Sequence, residues 1–483
     1  MIKKTLVWLR QDLRLLDNPA LYHACTLNQP TLIIYILDET LYPLGGAQCW
    51  WLHYSLEALQ KSLSRQESAL ILKKGASETI LLNLIKTENI SHVFWNDCYE
   101  PLTMARDFKL KQLLKEMGIT IESFNGSLLG DPENIKNKEN SFFKVFTYYW
   151  KYCCLHQKIK PLMSKPKFIN LAHHSKITLE SDVLSSWNLL PQNPDWSLGL
   201  KKYWEPGEIG AKKQLKKFIQ SNLIDYAHGR DFPAQLKTSL LSPYLHFGEI
   251  SPWQIYHAIK QIEIQNPITS KSTERYLTEL GWREFSYYLL YHYPQLPEKN
   301  FKTQFDTFQW LNNKELLKAW QKGKTGYPIV DAGMRQLWHT GYMHNRVRMI
   351  TASFLTKHLL IDWRVGSAWF WDTLVDADLA NNSASWQWVA GSGADAAPYF
   401  RIFNPVLQGE KFDASGEYVR TWVPELKKLP NKYIHKPWEA SKSILNTANI
   451  ILGIDYPLPI VEHAKARQDA LERYQTILKN SYR

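Results

Sequence analysis

The first 130 residues alternate short apolar runs with longer amphipathic stretches. The apolar runs are rich in β-branched and aromatic residues, and they span residues 5–9, 31–37, 69–72, 92–95 and 119–122. The stretches between them, such as 49–65 and 104–117, repeat apolar residues at helical spacing. Alternation of this kind favours a parallel sheet with helices on both faces. We therefore predict a doubly wound α/β domain over residues 1–130.

The pattern changes after residue 130. Five prolines interrupt a lysine-rich segment with little periodicity, in which only residues 142–152 have the aromatic spacing of a packed helix. We predict an inter-domain connecting segment over residues 131–203. From residue 204 to residue 483 the spacing is helical almost throughout, which predicts a larger, all-α C-terminal domain.

Composition narrows the class of protein. A hydrophobic content of 45% and a charged content of 22% are typical of a globular chain. The formal charge of +12 is spread along the sequence, which favours a folded basic surface and a polyanionic partner such as nucleic acid. The five cysteines include no CxxC pair, so we predict neither a disulfide framework nor a metal site.

Targeting signals are not apparent in the sequence. The N-terminus lacks the apolar region of a signal peptide, and no apolar run reaches transmembrane length. We expect a cytoplasmic monomer with no membrane partner, associated with the nucleoid when it binds DNA.

The carboxyl ends of the predicted strands carry a few polar residues. Arg10, Asp12, Asp38 and the pair 45–46 lie where parallel sheets commonly bind ligands, but no GxGxxG follows the first strand. Turn or surface chemistry explains each of these residues more simply.

Residues 325–405 carry polar groups that a packed core does not require. Asn345, Arg348 and Met349 fall at i, i+3 and i+4, so one helix face presents an amide, a guanidinium and a thioether. Further upstream, Glu279 and Trp282 share a helix face in the same way. No spacing indicates a nucleophilic triad.

Several of these stretches together resemble the DNA photolyase/cryptochrome family. They include GYMHNRVRM (341–349) and QGEKFD (408–413), whereas LANNSAS (379–385) departs locally from the family's usual pattern. The residue pattern around Asn345 is similar to that of class I cyclobutane pyrimidine dimer photolyases. The resemblance implies an FAD-binding helical domain and light-driven repair of pyrimidine dimers in DNA, in which excited reduced FAD passes an electron to a flipped-out dimer.

The resemblance also implies roles for individual residues. Those matching lesion contacts are Glu279, Trp282, Asn345 and Met349. The tryptophans matching the chain that re-reduces the flavin are Trp310, Trp363 and Trp386. Those matching FAD contacts are Tyr226, Thr238, Ser239, Leu240, Leu241, Ser242, Tyr276, Arg348, Asp376, Ala377, Asp378 and Asn382, with a salt bridge between Arg348 and Asp376. Those matching DNA contacts are Arg230, Arg283, Asn345, Arg346, Arg401 and Gln408.

A second, antenna chromophore is a further implication of the family. Folate-binding members carry an asparagine–glutamate pair after the fourth strand, where this chain has Leu102 and Thr103. The usual folate pose is therefore not expected here, and methenyltetrahydrofolate, a deazaflavin, a second flavin or no antenna at all stay as alternatives.

Two other functions remain to be separated from repair. A photosensory cryptochrome usually has aspartate or cysteine at the position of Asn382, so the amide found here favours the enzyme. A flavoprotein that binds nucleic acid without light chemistry is the third possibility. Recovery of thymine absorbance under blue light distinguishes the three.

Overall fold

The computed structural model describes residues 3–166, 180–396 and 400–481. Five strands form one parallel sheet: β1 (Lys4–Leu9), β2 (Thr31–Leu37), β3 (Leu70–Lys74), β4 (Ile90–Asn96) and β5 (Thr120–Phe124). The order across the sheet is β3-β2-β1-β4-β5, with Val7 paired to Ile33 on one side and to Phe94 on the other. This is the predicted doubly wound arrangement, and the predicted strand limits differ from the observed ones by at most two residues.

Twenty α-helices lie in the described part of the chain. They are α1 (Pro19–Thr26), α2 (Gly46–Ser64), α3 (Ser77–Thr87), α4 (Pro101–Glu116), α5 (Phe146–His156), α6 (Leu198–Tyr203), α7 (Glu208–Ser221), α8 (Tyr226–Gly229), α9 (Ser242–His246), α10 (Pro252–Gln265), α11 (Ser270–His292), α12 (Lys314–Gln321), α13 (Pro328–Thr340), α14 (Asn345–Ser353), α15 (Trp363–Thr373), α16 (Leu379–Ala390), α17 (Pro405–Phe412), α18 (Glu417–Trp422), α19 (Lys442–Ala448) and α20 (His463–Ser481). A π-helical turn, Phe354–His358, follows α14.

The chain divides into two compact units. The first contains residues 1–224 and 239–294, and the second contains residues 225–238 and 295–483. The first unit therefore contains the sheet, α1–α7 and α9–α11, and the second unit contains α8 and the helices from α12 onward. The domain limits predicted at residues 130 and 203 follow a different division and stay a prediction.

Both faces of the sheet are buried, as expected of parallel strands between helices. Alternate residues such as Trp8 and Trp95 pack with leucines of α3 and α4, while Val7 and Phe94 are buried on the other side. In the second unit, the main core cluster gathers apolar residues from α12 to α18, including Trp320, Trp363 and Trp386.

The polar residues at the carboxyl end of β1 are buried, contrary to the expectation of turn or surface chemistry. The Arg10 guanidinium pairs with Asp107 and donates to the carbonyl of Asn96. Asp12 accepts from the Arg10 N–H at 2.5 Å and from the Asn96 amide at 2.6 Å. Asp38 does serve a turn, because it accepts from the Thr40 backbone N–H at 3.1 Å, and it also accepts from the Ser77 N–H at the start of α3 at 3.0 Å.

Neither a membrane-spanning helix nor a cluster of metal-binding side chains lies within the described ranges. No helix there combines the length and apolar composition that crossing a bilayer requires. In that same part of the chain, no three His, Cys, Asp or Glu side chains are placed to share a metal ion.

Candidate active site

Helix α11 of the first unit places Glu279 and Trp282 one turn apart. Glu279 forms an ion pair with Arg275 at 3.4 Å, and its side chain is 26% exposed. The Trp282 indole is half-buried and lies almost parallel to the Phe146 ring, with the two centroids 3.7 Å apart. The helix thus offers a carboxylate and a flat apolar surface, both in reach of solvent.

The aromatic rings that pack against Trp282 were not predicted from the sequence. Phe146, at the start of α5, is also nearly parallel to Trp150, at 6.4 Å between centroids. Helix α5 approaches α11 closely because residue 281 is glycine: a Cβ there would lie 2.6 Å from the Trp150 ring. The three stacked rings hold the Trp282 plane in a fixed orientation.

Arg283, the next residue of α11, is bound within the protein. Its Nη1 donates to the Ser127 carbonyl at 2.9 Å and to Glu284 at 3.0 Å, and its side chain is 11% exposed. Glu284 also accepts from the Leu129 N–H at 2.7 Å. Burial raises the pKa of Glu284 to about 7, against the smaller opposing effect of Arg283. A DNA contact by Arg283 stays a prediction.

The hydroxyl-rich loop before α9 has an unusual backbone. Leu240 has φ = +54°, a left-handed conformation that costs a non-glycine residue about 1–2 kcal/mol. Ser239 beside it is held by three hydrogen bonds. Its side chain forms one with Tyr276, and its carbonyl accepts another from Gln214 at 2.7 Å. Its Oγ accepts the third from the Leu241 N–H at 3.4 Å. Strain that is maintained by such contacts is typical of ligand-binding loops.

The remaining predicted residues of this loop differ in exposure. Leu241 is buried and Ser242, the first residue of α9, is exposed. Thr238 belongs to the second unit, where its side chain is hydrogen-bonded to Tyr342. The division between the units therefore falls inside the predicted FAD loop.

Helix α14 of the second unit begins with Asn345, which is exposed, and carries Met349 one turn later, half-buried. Between them, Arg346 pairs with Asp231 at 2.8 Å and lies over the Phe412 ring at 4.5 Å. The Arg346 Nε is buried and has no hydrogen-bond partner among the described residues. Asn345, Arg346 and Met349 thus all lie in the first half of α14.

His344 caps this helix and is 4% exposed. Its Nδ1 accepts from the Arg346 N–H at 3.2 Å, so the neutral ring carries its proton on Nε2. Burial lowers the pKa of His344 to about 4 and keeps the ring neutral. Within the described ranges, Nε2 has no partner. A buried donor without a partner is costly, so this position suits a ligand or water acceptor.

The predicted salt bridge between Arg348 and Asp376 is present. Arg348 Nη2 contacts the two carboxylate oxygens at 2.8 and 3.0 Å, and its Nε donates to the Met343 carbonyl at 2.7 Å. Burial alone would lower the pKa of Arg348, but the nearby Asp376 raises it above its usual value. A permanent cation is thereby fixed in the interior of the second unit.

Helix α16 follows directly. Asp378 caps it by accepting from the Asn381 N–H at 2.8 Å, and Ala377 before it is buried. Asn382 donates its side-chain amide to the carbonyl and the hydroxyl of Ser367 on α15, at 3.1 and 2.9 Å. Because the amide nitrogen is bound to Ser367, the Asn382 Oδ1 is the end of the side chain left to accept from a ligand.

The three predicted electron-transfer tryptophans lie in the second unit and differ in burial. Trp363 and Trp386 are 0% and 2% exposed within the main core, and Trp310 packs half-buried at its margin. A Cβ on Gly366 would overlap the Trp386 ring, so the close packing of α15 on α16 requires this glycine. The structure thus brings two of the tryptophans into one core and places the third nearer solvent.

Comparison with known proteins places the chain in a family. Residues 276–476 match the model for the FAD binding domain of DNA photolyase, and residues 5–167 match the DNA photolyase model. A deoxyribodipyrimidine photo-lyase from Agrobacterium fabrum is 51% identical, over 99% of this chain and 98% of that protein. The chain belongs to the DNA photolyase/cryptochrome family. It therefore contains the FAD-binding domain of that family, and the predicted fold class is confirmed.

Two further comparisons concern the subgroup within the photolyase/cryptochrome family. The crystal structure of a class III photolyase from Agrobacterium tumefaciens superposes with a TM-score of 0.96, at 51% identity, over 99% of this chain and 98% of that one. Cryptochrome-2 of Arabidopsis thaliana is 38% identical, over 97% of this chain and 78% of that protein. The predicted placement in class I is not supported by these similarities.

The described residues fit the family cofactor in their chemistry. A reduced flavin ring offers N–H donors, for which Asn382 Oδ1 is a suitable acceptor, and its phosphates need donors such as the hydroxyls of 238–242. The fixed Arg348 cation suits an anionic ring. Tyr226 and Tyr276, the two tyrosines predicted to contact FAD, are each buried.

The other predicted DNA contacts of this photolyase-family chain lie in the second unit. The Arg230 side chain is 10% exposed and lies 5.7 Å from the Tyr226 ring. Arg401 is exposed beside the Phe403 ring at 5.0 Å, and Gln408 is half-buried on α17. Of these side chains, Arg401 is the one most open to a polyanion.

Proposed function

We propose that this chain is a deoxyribodipyrimidine photo-lyase, which repairs cyclobutane pyrimidine dimers in DNA with light. The observation that carries the proposal is the geometry of Asn382, whose amide nitrogen is bound to Ser367 at 2.9 Å while Oδ1 remains as an acceptor. An amide in that position cannot deliver a proton as a carboxyl group can, so it favours a lasting reduced cofactor. The 51% identity to a photo-lyase over 99% of the chain supports the same function.

The protein's part in the reaction is to hold and orient the cofactor. When bound, FAD in its reduced form supplies the light-excited electron that splits the dimer. Arg348, held in place by Asp376 at 2.8 Å, stabilises negative charge near the ring through its guanidinium group. The hydroxyls of Thr238, Ser239 and Ser242 donate to phosphate oxygens, together with backbone N–H groups of the strained loop.

Four side chains are proposed to bind the lesion. In the first unit, Trp282 stacks on a dimer that has left the helix, and Glu279 hydrogen-bonds its base edges. In the second unit, Asn345 contacts the neighbouring base edge and Met349 fills space beside it. A damaged step is cheaper to extrude than an intact pair, which contributes to selectivity.

DNA is held through its backbone. Arg230, Arg346, Arg401 and Gln408 contact phosphates, with Asn345 at the lesion. Arg283 is the weakest candidate because its side chain is 11% exposed and its Nη1 already donates to Ser127 and Glu284. Phosphate contacts fix the register without reading sequence, which suits an enzyme that must act on damage anywhere. The net charge of +12 favours the same partner.

Within the family, we place the chain among class III photolyases rather than class I, on its similarity to the Agrobacterium tumefaciens structure. A second antenna chromophore, chosen from methenyltetrahydrofolate, a deazaflavin or a flavin, belongs to the proposal. Leu102 is 47% exposed where folate-binding members have a polar residue, so the usual folate pose is not proposed. Cytoplasmic location and a monomeric state stay predictions.

A cryptochrome-type photoreceptor is the second candidate, because a plant cryptochrome is similar over 97% of this chain. The test is to illuminate the pre-reduced protein with a thymine-dimer oligonucleotide under blue light and follow the recovery of thymine absorbance. We expect recovery in the light and none in the dark. A photoreceptor without repair activity would show none in either condition, and that result would refute the enzyme.

A paired variant makes the test specific for the site. Glu279→Ala should lower the rate of repair about tenfold or more, since the carboxylate that accepts from the dimer's base edge and orients it is removed. Glu274→Ala, at an exposed position of the same helix, should leave it unchanged. FAD content should be equal in both; loss of FAD from Glu279→Ala would show that Glu279 is misplaced in the proposal.

A further inference from the structure

The buried indole of Trp363 is linked by hydrogen bonds to an exposed carboxylate. Its Nε1 donates to Asn300 Oδ1 at 3.0 Å, and Asn300 Nδ2 donates to Asp306 Oδ1 at 2.7 Å. Trp363 and Asn300 are 0% and 2% exposed, whereas Asp306 is exposed. The amide orientation is fixed by chemistry, because an indole N–H can only donate and a carboxylate can only accept.

The loop that carries Asn300 is held by the helix that carries Trp386. Gln387 of α16 is fully buried, and its Nε2 donates to the carbonyls of Leu296 and Lys299 at 2.7 and 2.8 Å. Its Oε1 accepts from the Phe301 N–H at 2.8 Å. Three hydrogen bonds to one side chain thus set the position of Asn300 relative to the tryptophans.

A cation beside Trp363 has the opposite electrostatic effect. The Arg364 guanidinium lies 4.7 Å from the ring centroid, where its charge disfavours a second positive charge on the indole. That charge is paired with Asp362 at 2.9 Å, and the Arg364 side chain is 36% exposed, so solvent and the ion pair weaken it. The Asn300 contact is buried and is not screened in this way.

An indole that has lost an electron is a cation, and its N–H becomes a stronger donor. A hydrogen bond from that N–H therefore stabilises the oxidised indole more than the neutral one. Trp386 lies among apolar rings, 5.0 Å from Phe370 and 6.4 Å from Trp320, where a charge is poorly stabilised. Trp310 is half-buried and nearer water. A positive charge should therefore be stabilised least on Trp386, more on Trp363 and most on Trp310.

We propose that Asn300, oriented by Asp306, is the positioning residue that makes Trp363 the intermediate electron donor in re-reduction of the cofactor. The proposal rests on the electron-transfer roles assigned to the three tryptophans above. One electron passes from Trp363 to oxidised Trp386, and the Trp363 indole keeps its proton in the hydrogen bond to Asn300. One electron from Trp310 then restores Trp363.

An external thiol completes the sequence. Each thiol gives one electron to oxidised Trp310 and releases one proton, and two thiyl radicals combine to a disulfide. Electrons and protons therefore balance without a group that the protein would have to supply.

The hydrogen bond itself is tested in the dark by NMR of the full-length protein with ¹⁵N-labelled tryptophan. The Trp363 indole resonance, identified by its loss in Trp363→Phe, should move upfield in proton shift in Asn300→Leu. It should move less, in the same direction, in Asp306→Asn. An unchanged resonance in Asn300→Leu would overturn the proposal, whatever the enzyme's activity.

The effect on electron transfer is tested by photoreduction of the oxidised protein with a thiol. Asn300→Leu should be about tenfold slower, which corresponds to about 1.4 kcal/mol in the barrier. The double variant Asn300→Asp with Asp306→Asn keeps an oxygen that accepts from Trp363 and an N–H that donates between residues 306 and 300, so it should stay within about threefold of the original protein. Asp306→Asn alone should be intermediate. Asn431→Ala removes a hydrogen-bonded asparagine elsewhere in the second unit and serves as the control.

The outcomes separate this proposal from the proposed function. Repair by the pre-reduced Asn300→Leu protein should equal that of the original chain, because re-reduction is bypassed. Absence of repair in the unaltered, pre-reduced protein would refute the function instead. If Asn300→Leu does not fold, the exposed Asp306→Asn variant decides: photoreduction at the original rate would overturn the role of the Asn300–Asp306 pair.

Discussion

Arg283 of the first unit and Arg346 of the second were both predicted to contact DNA, yet the protein uses their donors differently. Arg283 is 11% exposed, and its partner Glu284 is 3% exposed. Arg346 is 22% exposed, and its partner Asp231 is 38% exposed. Two arginines with the same expected role therefore differ in their surroundings. Arg283 forms a buried ion pair with Glu284, and Arg346 forms a partly exposed ion pair with Asp231.

The burial of the partner decides what each arginine can do. Taking Arg283 to a phosphate would leave the Glu284 carboxylate alone in the interior, which is strongly unfavourable. Asp231 can instead turn to water when a phosphate takes its place, so the Arg346 pair can exchange partners at low cost. Residue type therefore identifies candidates, and the surroundings separate structural arginines from binding ones.

The largest expected effect is on stability, in Arg283→Ala. Removing one partner of a buried pair should lower the free energy of unfolding by about 3 kcal/mol. Affinity for dimer-containing DNA should change by less than about threefold, within the range of an indirect effect. Urea unfolding and fluorescence anisotropy with a labelled oligonucleotide measure the two quantities. A large loss of affinity with an unchanged urea midpoint would reverse the assignment.

The next effect is on binding, in Arg346→Ala. Loss of one phosphate contact should weaken binding of damaged and undamaged DNA alike, by about tenfold. The slope of the logarithm of the binding constant against the logarithm of salt concentration should become less steep by about 1. Stability should change by less than about 1 kcal/mol, because the lost pair is partly exposed.

Asp231→Asn is the matched control for Arg346. It removes the carboxylate that competes with phosphate, so DNA affinity should rise rather than fall. If Asp231→Asn weakens binding as much as Arg346→Ala, the pair orients the helix and does not exchange its carboxylate for phosphate.

Much of the fold could be predicted from the sequence. The five strands were found because buried parallel strands read as short β-branched runs between helical stretches, a signal carried by neighbouring residues. The helix predicted over residues 142–152 begins only at Phe146 and extends to His156. The pairing of Phe146 with Trp282 was not found, because it joins residues 136 positions apart and local periodicity carries no such information.

The candidate site shows the same limit. Spacing placed Asn345 and Met349 on one helix, and the resemblance gave the Arg348–Asp376 pair, which the structure contains. Neither could show that Arg283 donates to the Ser127 carbonyl, 156 residues away. The Trp363–Asn300 hydrogen bond was not predicted for the same reason, and because an asparagine in a loop has no sequence pattern that marks it.

The last prediction concerns pH and tests the buried Arg283–Glu284 pair through its carboxyl group. Burial raises the pKa of Glu284 to about 7, whereas an unfolded glutamate titrates near about 4.3. Between these values the folded protein holds a proton that the unfolded chain has lost. Stability should therefore fall as pH rises from 5 to 7, by about 1.4 kcal/mol per pH unit, and level off above pH 7.

Glu284→Gln isolates this contribution, since the amide does not titrate and its oxygen can still accept from the Leu129 N–H. The difference in urea midpoint between the variant and the original chain should shift in favour of the variant from pH 5 to pH 7. Other titrating groups cancel in that difference.

The pH dependence of Arg283→Ala is a second test of the same pair. Above pH 7 the Glu284 carboxylate is charged and its attraction to Arg283 is strongest, so Arg283→Ala should lower the free energy of unfolding more at pH 8 than at pH 5. A cost independent of pH would mean that Glu284 is already ionised at pH 5, and that the first unit's arginine pair is open to water like the second's.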